Sequence, residues 1–314
     1  MRIVGIRRNG GPVEVASLSP DGAEVAVLAS LERFWADARS LLSREPAGDT
    51  AAAAEVTFVP PVLPGARVIC IGLNYLKHVA EGSFAGKDLP PHPTLFARWT
   101  QSLTVDGAPV PVPANEDGLD WEGEVVAYVG APLVDAGPEQ ALAAVVGYSA
   151  FNDLTSRRAQ KLTSQWILGK NGDSSGPLGP MVPAAEVGDL RDGLRVRTRV
   201  NGEVVQDGST DEMVYTVGDT LSLISRTFTL RPGDLLATGT PAGVGYARTP
   251  RGCCSRATRS RSRSSAWARC AIPSSATTPG CGPHDQAVRP RPDRGHGRSR
   301  QLPLLGRADR SCGV

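Results

Sequence analysis

The feature that most constrains this chain is a pair of glutamates, Glu122 and Glu124, at the start of an apolar run with the sequence Val-Val-Ala-Tyr-Val. Such a run is typical of a buried strand, and side chains two residues apart on a strand point to the same face. Two carboxylates held that close repel each other unless a cation lies between them. Solvent-exposed strand glutamates need no such cation, so the pair alone leaves both interpretations open.

A third carboxylate, Asp153, follows the next apolar run of the chain, which includes residues 145–148. Three hard oxygen ligands with no Cys or His beside them favour Mg²⁺ or Mn²⁺, with Ca²⁺ as an alternative, over zinc. The spacing therefore makes a divalent-metal site a hypothesis for the structure to test.

A histidine and a glutamate form the second candidate group. His78 and Glu81 are three residues apart in a segment that we predict to be helical, so their side chains share a face and can touch. A carboxylate beside a histidine orients the ring and favours its protonated form, as in a general base. The alternative is a helix-surface pair worth roughly 0.2–0.5 kcal/mol.

Four further polar residues suit a carboxylate substrate. Arg157 and Gln160 share a predicted helix face, and an arginine can grip a carboxylate with two parallel hydrogen bonds. Lys170 follows a glycine in a predicted loop, where it could hold a developing oxyanion or could simply be solvated. Thr240 lies on a Gly-rich turn after a predicted strand, where hydroxyl and backbone N–H groups can bind an anion.

The net charge of +2 is unevenly distributed. Residues 251–314 contain 13 Arg, no Lys and 3 Asp, a net charge of +10, so residues 1–250 carry −8. Five of the six Cys also lie in this stretch, whereas Cys70 lies in an apolar run and needs no disulfide. A segment dense in Arg, Ser, Pro and Gly buries too little apolar area to offset its ordering entropy. We therefore predict a disordered C-terminal tail.

Short apolar runs separated by Gly and Pro predict a mainly β fold with a few helices, of the α+β class. We expect a small N-terminal domain and linker at residues 1–64, a larger domain at 65–250 and the tail at 251–314. No run approaches the roughly 20 apolar residues of a membrane helix, and the start lacks the apolar core of a signal peptide, so we expect a cytoplasmic protein. Predicted strands cover residues 68–71, 124–129, 142–148, 194–200 and 234–238, and predicted helices cover 75–85, 156–162 and 217–228.

Eight short motifs follow one another along residues 65–250. They are G-L-N-Y-x-x-H-x-x-E at 72–81, D-W-E-G-E at 120–124, G-Y-x-x-x-N-D at 147–153, S-R-x-x-Q at 156–160, G-K-x-x-D at 169–173, P-x-G-P at 177–180, N-G-E-V-V-Q-D-G-S-T-D-E-M at 201–213 and T-G-T-P-A-G-V-G at 238–245. Each motif is weak, but the ordered series resembles the fumarylacetoacetate hydrolase family in its smaller bacterial branch.

The resemblance implies a mixed β-sandwich roll that normally forms a homodimer, with a small-molecule 2-oxo acid as substrate and no nucleic-acid or membrane partner. A basic tail can also attract nucleic acid, but the tail lacks an aromatic pattern for base stacking. The residues that the resemblance implies are Glu122, Glu124 and Asp153 as metal ligands; His78, Glu81 and Lys170 as catalytic residues; and Arg157, Gln160 and Thr240 as substrate contacts.

The implied activity is hydrolysis of a C–C bond in a 2,4-dioxo acid, of the acylpyruvate or fumarylpyruvate type, through a metal-chelated enolate. The same enolate serves isomerases, decarboxylases and hydratases of 2-oxo and 2-hydroxy-dienoic acids in aromatic catabolism, and these alternatives stay open. The histidine–glutamate pair favours hydrolysis because its use is to activate water. An inactive family member that acts as a partner subunit is the alternative from another class.

The sequence departs from the family after Pro250. Residues 252–273 can be back-translated with GC-rich codons so that a shifted reading frame gives L-L-Q-P-G-D-T-V-E-V-E-I-E-R-V-G-A-L-R-N, which resembles the family's ending. We therefore hypothesise that residues from about Arg251 onward are a frameshift product and that the last strands of the domain are lost. Resequencing the gene across codons 245–290 tests this, and codons incompatible with that shifted sequence would contradict it.

Overall fold

The structure, a computed structural model, describes residues 1–44, 46, 48–81, 90–255, 260–264 and 268–272. Its α-helices are α1 (Leu31–Ala36), α2 (Ala38–Leu42), α3 (Leu76–Glu81), α4 (Pro138–Ala143), α5 (Arg157–Gln160), α6 (Ile167–Lys170), α7 (Ala184–Val187) and α8 (Val217–Ser225). Its strands are β1 (Arg2–Arg7), β2 (Glu14–Leu18), β3 (Glu24–Ser30), β4 (Thr50–Ala52), β5 (Thr57–Val59), β6 (Val68–Gly72), β7 (Thr94–Arg98), β8 (Leu103–Val105), β9 (Gly123–Val129), β10 (Val145–Asn152), β11 (Gly176–Leu178), β12 (Val182–Pro183), β13 (Arg195–Val200), β14 (Glu203–Ser209), β15 (Leu235–Ala237), β16 (Ser260–Ser264) and β17 (Ala268–Ile272).

The N-terminal residues form a five-stranded antiparallel sheet in the order β4-β3-β2-β1-β5. This sheet packs on the larger domain. Trp35 stacks on Tyr128 with ring centroids 5.9 Å apart, and both side chains belong to one hydrophobic cluster. The backbone N–H of Ile3 donates to the carbonyl of Met181 at 2.7 Å. Residues 1–64 thus have their own sheet but share a core with the larger domain, and the proposed domain boundary stays a prediction.

The main sheet has the order β7-β6-β15-β9-β10-β11-β8, with β12 beside β10. Two of its pairs, β6–β15 and β8–β11, are parallel, and the others are antiparallel. The combination of mixed sheets and short helices confirms the predicted α+β class. Strands β9 and β10 are buried along their whole length, as their Val-, Ala- and Tyr-rich sequences predict.

The register of β9 and β10 brings Asp153 beside Glu122, two of the predicted site residues. Glu124 lies opposite Phe151, and just beyond the paired residues the backbone N–H of Asp153 donates to the carbonyl of Glu122 at 2.8 Å. The turn after β15 runs beside β9, where the N–H of Thr238 donates to Val125 at 2.9 Å. The main sheet therefore positions the candidate site at the adjoining ends of three strands.

The predicted elements differ from the observed ones mainly at their ends. The strand predicted from residue 142 begins at Val145, because Pro138 at the first helical position starts α4 in the preceding segment. Lys170, predicted in a loop, is the last residue of α6. The predicted helix at residues 75–85 is observed as Leu76–Glu81; Tyr75 instead forms an isolated β-bridge with Met213, and residues 82–85 lie outside the described ones. No helix among the described residues is long and apolar enough to cross a membrane.

A third sheet, with the order β14-β13-β16-β17, is antiparallel throughout. Strands β16 and β17 lie in the stretch 251–314, where the sequence analysis expected the strands to be lost. Backbone N–H and C=O groups pair with an exposed strand edge whatever the side chains are, which accounts for strands in a sequence without an apolar pattern. The rest of the predicted tail, residues 256–259, 265–267 and 273–314, lies outside the described residues.

Candidate active site

Three buried carboxylates form a cluster where β9 begins beside the end of β10. One oxygen atom from each of Glu122, Glu124 and Asp153 lies within 4.8 Å of the other two. The structure therefore brings together the three residues that the sequence suggested as metal ligands. The turn after β15 also contributes, because the backbone N–H of Gly239 donates to Glu124 Oε2 at 3.0 Å.

Lys170 lies between two of these carboxylates. Its Nζ atom donates to Glu122 Oε2 and to Asp153 Oδ2, each at 2.5 Å, and its side chain is buried. Burial alone would lower the pKa of Lys170, but the charges of Asp153 and Glu122 outweigh it and raise the pKa. The amine is therefore positively charged at neutral pH, inside the acidic cluster.

Glu122 is paired with two basic side chains. Besides Lys170, it accepts a hydrogen bond at 2.5 Å from Arg157 Nη2. Burial would raise the pKa of Glu122, but the charges of Lys170 and Arg157 outweigh burial and lower the pKa to about 2. Glu122 is thus an anion over the whole physiological range.

The pKa of Glu124 is displaced in the opposite direction to that of Glu122. Burial, together with the charge of Asp153, raises the pKa of Glu124 well above its usual value. Within the described part of the chain, no Lys or Arg forms an ion pair with it, in contrast to Glu122 and Asp153. A divalent cation among the three carboxylates would supply the missing positive charge. Three buried carboxylate oxygens are the donor set that Mg²⁺ or Mn²⁺ prefers, so the residues fit such an ion.

Arg98 is a site residue that the sequence analysis missed. It ends β7, it is 2 % exposed, and its Nη1 atom forms an ion pair with Asp153 Oδ1. Its Nη2 atom donates to Ser175 Oγ. Arg98 therefore fixes the orientation of one candidate metal ligand. The available signal was a single arginine at the end of the short apolar run Thr94–Arg98, where an unpaired charge would be costly to bury.

Asp120 is the second missed residue. Arg157 donates from Nε to Asp120 Oδ2 at 2.7 Å and from Nη1 to Gln160 Oε1 at 2.9 Å, so one guanidinium links Asp120, Glu122 and Gln160. Burial raises the pKa of Asp120, although Arg157 opposes the shift. Asp120 lies two residues before Glu122, and the period-two argument used for the glutamates could have found it.

The predicted histidine–glutamate pair is present on α3. His78 Nδ1 and Glu81 Oε1 are 2.8 Å apart, and both side chains are partly buried. The backbone N–H of Gly243 donates to both Glu81 oxygens, at 3.0 and 2.8 Å, and so holds the carboxylate in place. With Nδ1 engaged by Glu81, Nε2 is the histidine nitrogen left for a reacting molecule.

Thr240 is buried, and its hydroxyl is engaged within the protein. The hydroxyl donates to the carbonyl of Gly123 at 2.9 Å and accepts from Gln206 Nε2 at 2.8 Å. Thr240 therefore ties its turn to the start of β9, beside the cluster. Its predicted role as a substrate contact stays a prediction.

The predicted site residues line one cavity of about 330 Å³. Its buried end holds the carboxylate cluster and Lys170, and its exposed end holds Lys161, Thr163, Ser164 and Tyr246. All nine of the predicted site residues border it: His78, Glu81, Glu122, Glu124, Asp153, Arg157, Gln160, Lys170 and Thr240.

Comparisons with known proteins agree with this geometry. The family model described as fumarylacetoacetate (FAA) hydrolase C-terminal matches residues 67–271. Oxaloacetate tautomerase YisK of Bacillus subtilis is 35 % identical over 240 residues, which cover 73 % of this chain and 78 % of that protein. Across three curated relatives, the chain spans from 62 % to 78 % of their length.

Two solved structures share the fold. The fumarylacetoacetate hydrolase of Exiguobacterium antarcticum superposes with a TM-score of 0.73 at 29 % identity, covering 88 % of this chain and all of that one. The fumarylpyruvate hydrolase of Pseudomonas aeruginosa, in complex with Mn²⁺ and pyruvate, gives a TM-score of 0.60 at 31 % identity, covering 69 % of this chain and 91 % of that one.

Proposed function

Because the chain belongs to the fumarylacetoacetate hydrolase family, we propose that it is a divalent-metal-dependent enzyme that hydrolyses a C–C bond in a 2,4-dioxo acid. The substrate would be an acylpyruvate of the fumarylpyruvate type. One observation carries the proposal: a buried carboxylate triad and a histidine–glutamate pair line the same cavity.

Glu122, Glu124 and Asp153 would hold the ion, Mg²⁺ or Mn²⁺. When bound, the cation supplies a Lewis acid for the carboxylate and the C2 oxygen of a 2-oxo acid. The presence of Mn²⁺ and pyruvate in the fumarylpyruvate hydrolase complex supports this choice of metal and of substrate class. Arg98 and Arg157 would keep the ligands oriented through their ion pairs with Asp153 and Glu122.

His78 would act as the general base. Glu81 engages its Nδ1 atom, so Nε2 would take a proton from a water molecule that attacks the C4 carbonyl. Lys170, charged and buried, would donate to the oxyanion that forms at C4. Breaking the C3–C4 bond then releases a carboxylic acid, and C3 receives the proton held by His78, which gives pyruvate. One water is consumed and the atoms balance.

Gln160 would bind the substrate through its amide. Its Oε1 atom accepts from Arg157 Nη1, which leaves the amide NH₂ as a donor towards the cavity. In this arrangement Arg157 acts mainly by orienting Gln160 and Glu122, since its Nε, Nη1 and Nη2 atoms all donate within the protein.

Tautomerisation of oxaloacetate is the second candidate. It is favoured by the identity with the tautomerase YisK, and a human oxaloacetate tautomerase is 36 % identical over 199 residues. Tautomerisation moves one proton between C3 and the C2 oxygen, and His78 could serve as its base without a water molecule. The candidates differ in whether a C–C bond breaks.

Product analysis with Mn²⁺ separates the two candidates. The enzyme would be incubated with acetylpyruvate and with oxaloacetate, with His78→Ala as control. Release of pyruvate and acetate, lost in the control, is expected. Accelerated keto–enol exchange of oxaloacetate without cleavage of acetylpyruvate would replace hydrolysis by tautomerisation. The homodimer, the cytoplasmic location and the absence of nucleic-acid and membrane partners stay predictions, as does the alternative of an inactive partner subunit.

A further inference from the structure

We propose that Lys161 and Tyr246 form a binding site for a second carboxylate, at the far end of the substrate from its 2-oxo acid group. The enzyme would then prefer dicarboxylic over monocarboxylic 2-oxo acids. This inference rests on the proposed function, because it assumes that the 2-oxo acid group occupies the buried end of the cavity.

Lys161 places a positive charge on the cavity wall, and no acid among the described residues forms an ion pair with it. It directly follows α5, it is exposed, and it borders the cavity. Its Nζ atom donates to the hydroxyl of Tyr246 and lies 3.7 Å from the centre of that ring. Among the ion pairs of the residues that the structure describes, none involves Lys161, whereas Lys77 pairs with Glu212 and Lys170 pairs with Glu122 and Asp153.

Two further cationic side chains lie near the ring of Tyr246. The guanidinium carbon of Arg251 lies 4.6 Å from its ring centre, and that of Arg157 lies 5.8 Å away. The hydrogen bond from Lys161 lowers the pKa of the Tyr246 hydroxyl, and the charges of Lys161, Arg251 and Arg157 lower it further. Arg157 is already paired with Asp120 and Glu122, so Lys161 and Arg251, which form no ion pair among the described residues, supply the positive charge that favours an anion at the exposed end of the cavity.

The two ends of the cavity differ in what they can bind. At the buried end, three acids surround the place where a cation would hold the 2-oxo acid group. Arg157 connects the two ends, since it donates to Glu122 on one side and lies over Tyr246 on the other. The hydroxyl group of Ser164 also borders the exposed end and is suited to accept or donate hydrogen bonds, whereas the Thr163 hydroxyl is engaged with the backbone of Gln165. A ligand that carries an anionic group at each end matches this distribution of charge.

Two inert ligands test the proposal without relying on turnover. 2-Oxoadipate and 2-oxohexanoate have the same chain, ending in a carboxylate or a methyl group, and neither carries the 4-oxo group that hydrolysis requires. Calorimetry with Mn²⁺ would give both dissociation constants for the wild type, for Lys161→Gln and Lys161→Arg, and for Lys77→Gln. Lys77→Gln is the matched control, because Lys77 is exposed and lies outside the cavity lining.

The wild type is expected to bind 2-oxoadipate about tenfold more tightly than 2-oxohexanoate, which is the size expected of one charge-assisted hydrogen bond. Lys161→Gln should abolish the preference, while Lys161→Arg and Lys77→Gln should keep it. Equal or undetectable binding of the two ligands by the wild type would overturn the proposal, as would an unchanged preference in Lys161→Gln. If the preference holds but acylpyruvates are not cleaved, the proposed reaction fails and the carboxylate site stands.

Discussion

Glu122 and Glu124 lie in one carboxylate cluster, yet their side-chain pKa values are displaced in opposite directions. The charges of two bases overcome burial and lower the pKa of Glu122 to about 2, whereas burial and a neighbouring acid raise the pKa of Glu124 well above its usual value. The protein therefore balances the charge of Glu122 with its own basic side chains, whereas the charge of Glu124 would be balanced by a bound metal ion. Several consequences of this asymmetry can be measured.

In the metal-free protein at neutral pH, Glu122→Gln should be strongly destabilising. It leaves Lys170 and Arg157 without one of their buried anionic partners, and breaking a buried ion pair typically costs about 3–5 kcal/mol of unfolding free energy. Because the folded-state pKa of Glu122 lies below the ordinary glutamate value of 4.5, its contribution to stability is present above that value and is lost as the pH falls towards 2. Urea denaturation of the wild type and the variant at several pH values measures this contribution to the free energy of unfolding.

Glu124→Gln should have the opposite effect in the same metal-free protein. A folded-state pKa above the ordinary glutamate value of 4.5 means that the ionised carboxyl lowers stability at neutral pH, so the neutral amide should raise the unfolding temperature. This gain should disappear as the pH falls below about 4.5, where the glutamate is protonated in both states. Equal destabilisation by both substitutions would contradict the asymmetry.

Glu81→Gln should impair catalysis while keeping the fold. Glutamine can still accept a hydrogen bond from Gly243 but cannot stabilise a protonated His78 as a carboxylate does. We expect kcat to fall by roughly 100-fold or more with little change in KM, as for the loss of general-base catalysis. Glu139→Gln, an exposed residue on α4, is the matched control. Retention of full kcat would show that the pair is only a helix-surface contact.

Arg98→Met should destabilise the protein and weaken metal binding together. The substitution leaves Asp153 with Lys170 as its remaining basic partner among the described residues, and the expected loss is about 3–5 kcal/mol. Arg226→Met, at an exposed arginine after α8, should change stability by no more than about 0.5 kcal/mol. Chemical denaturation of both variants measures the difference, and equal effects would remove Arg98 from the site.

Restoring the hypothesised reading frame after Arg251 should raise the unfolding temperature. The restored sequence alternates Val and Ile with Glu, which suits strands with one buried face, and each buried side chain contributes about 1.5–3 kcal/mol. Scanning calorimetry of the 314-residue chain and the restored chain makes the comparison. An equal or lower unfolding temperature for the restored chain would count against the frameshift hypothesis.

The sequence predicted the parts of the site that depend on local spacing. Glu122 and Glu124 share a face because of the strand period, and His78 and Glu81 meet because they are three apart on a helix. The family resemblance predicted the long-range groupings, which local spacing does not determine. Arg98 was missed because its partner Asp153 lies 55 residues away and only the sheet brings them together.

Some elements of the fold could not be predicted from the sequence pattern either. The helix α4 precedes β10 within what looked like one apolar run, since Leu and Ala suit either element and only Pro138 marks the helix start. Strands β16 and β17 lack an apolar alternation and are held by backbone pairing, β16 with β13 and β17 with β16. Patterns that rely on side chains cannot predict strands that rely on a neighbouring backbone.

Binding of Mn²⁺ to the purified protein tests the central claim most directly, because every proposed step requires one divalent ion at the triad. The signal of free Mn²⁺ in electron paramagnetic resonance would be titrated with wild type and with Glu124→Gln, which is expected to stay folded. We predict one bound ion per chain in the wild type and at least tenfold weaker binding in the variant. Wild-type protein that binds no Mn²⁺, or a variant that binds it equally well, would contradict the account.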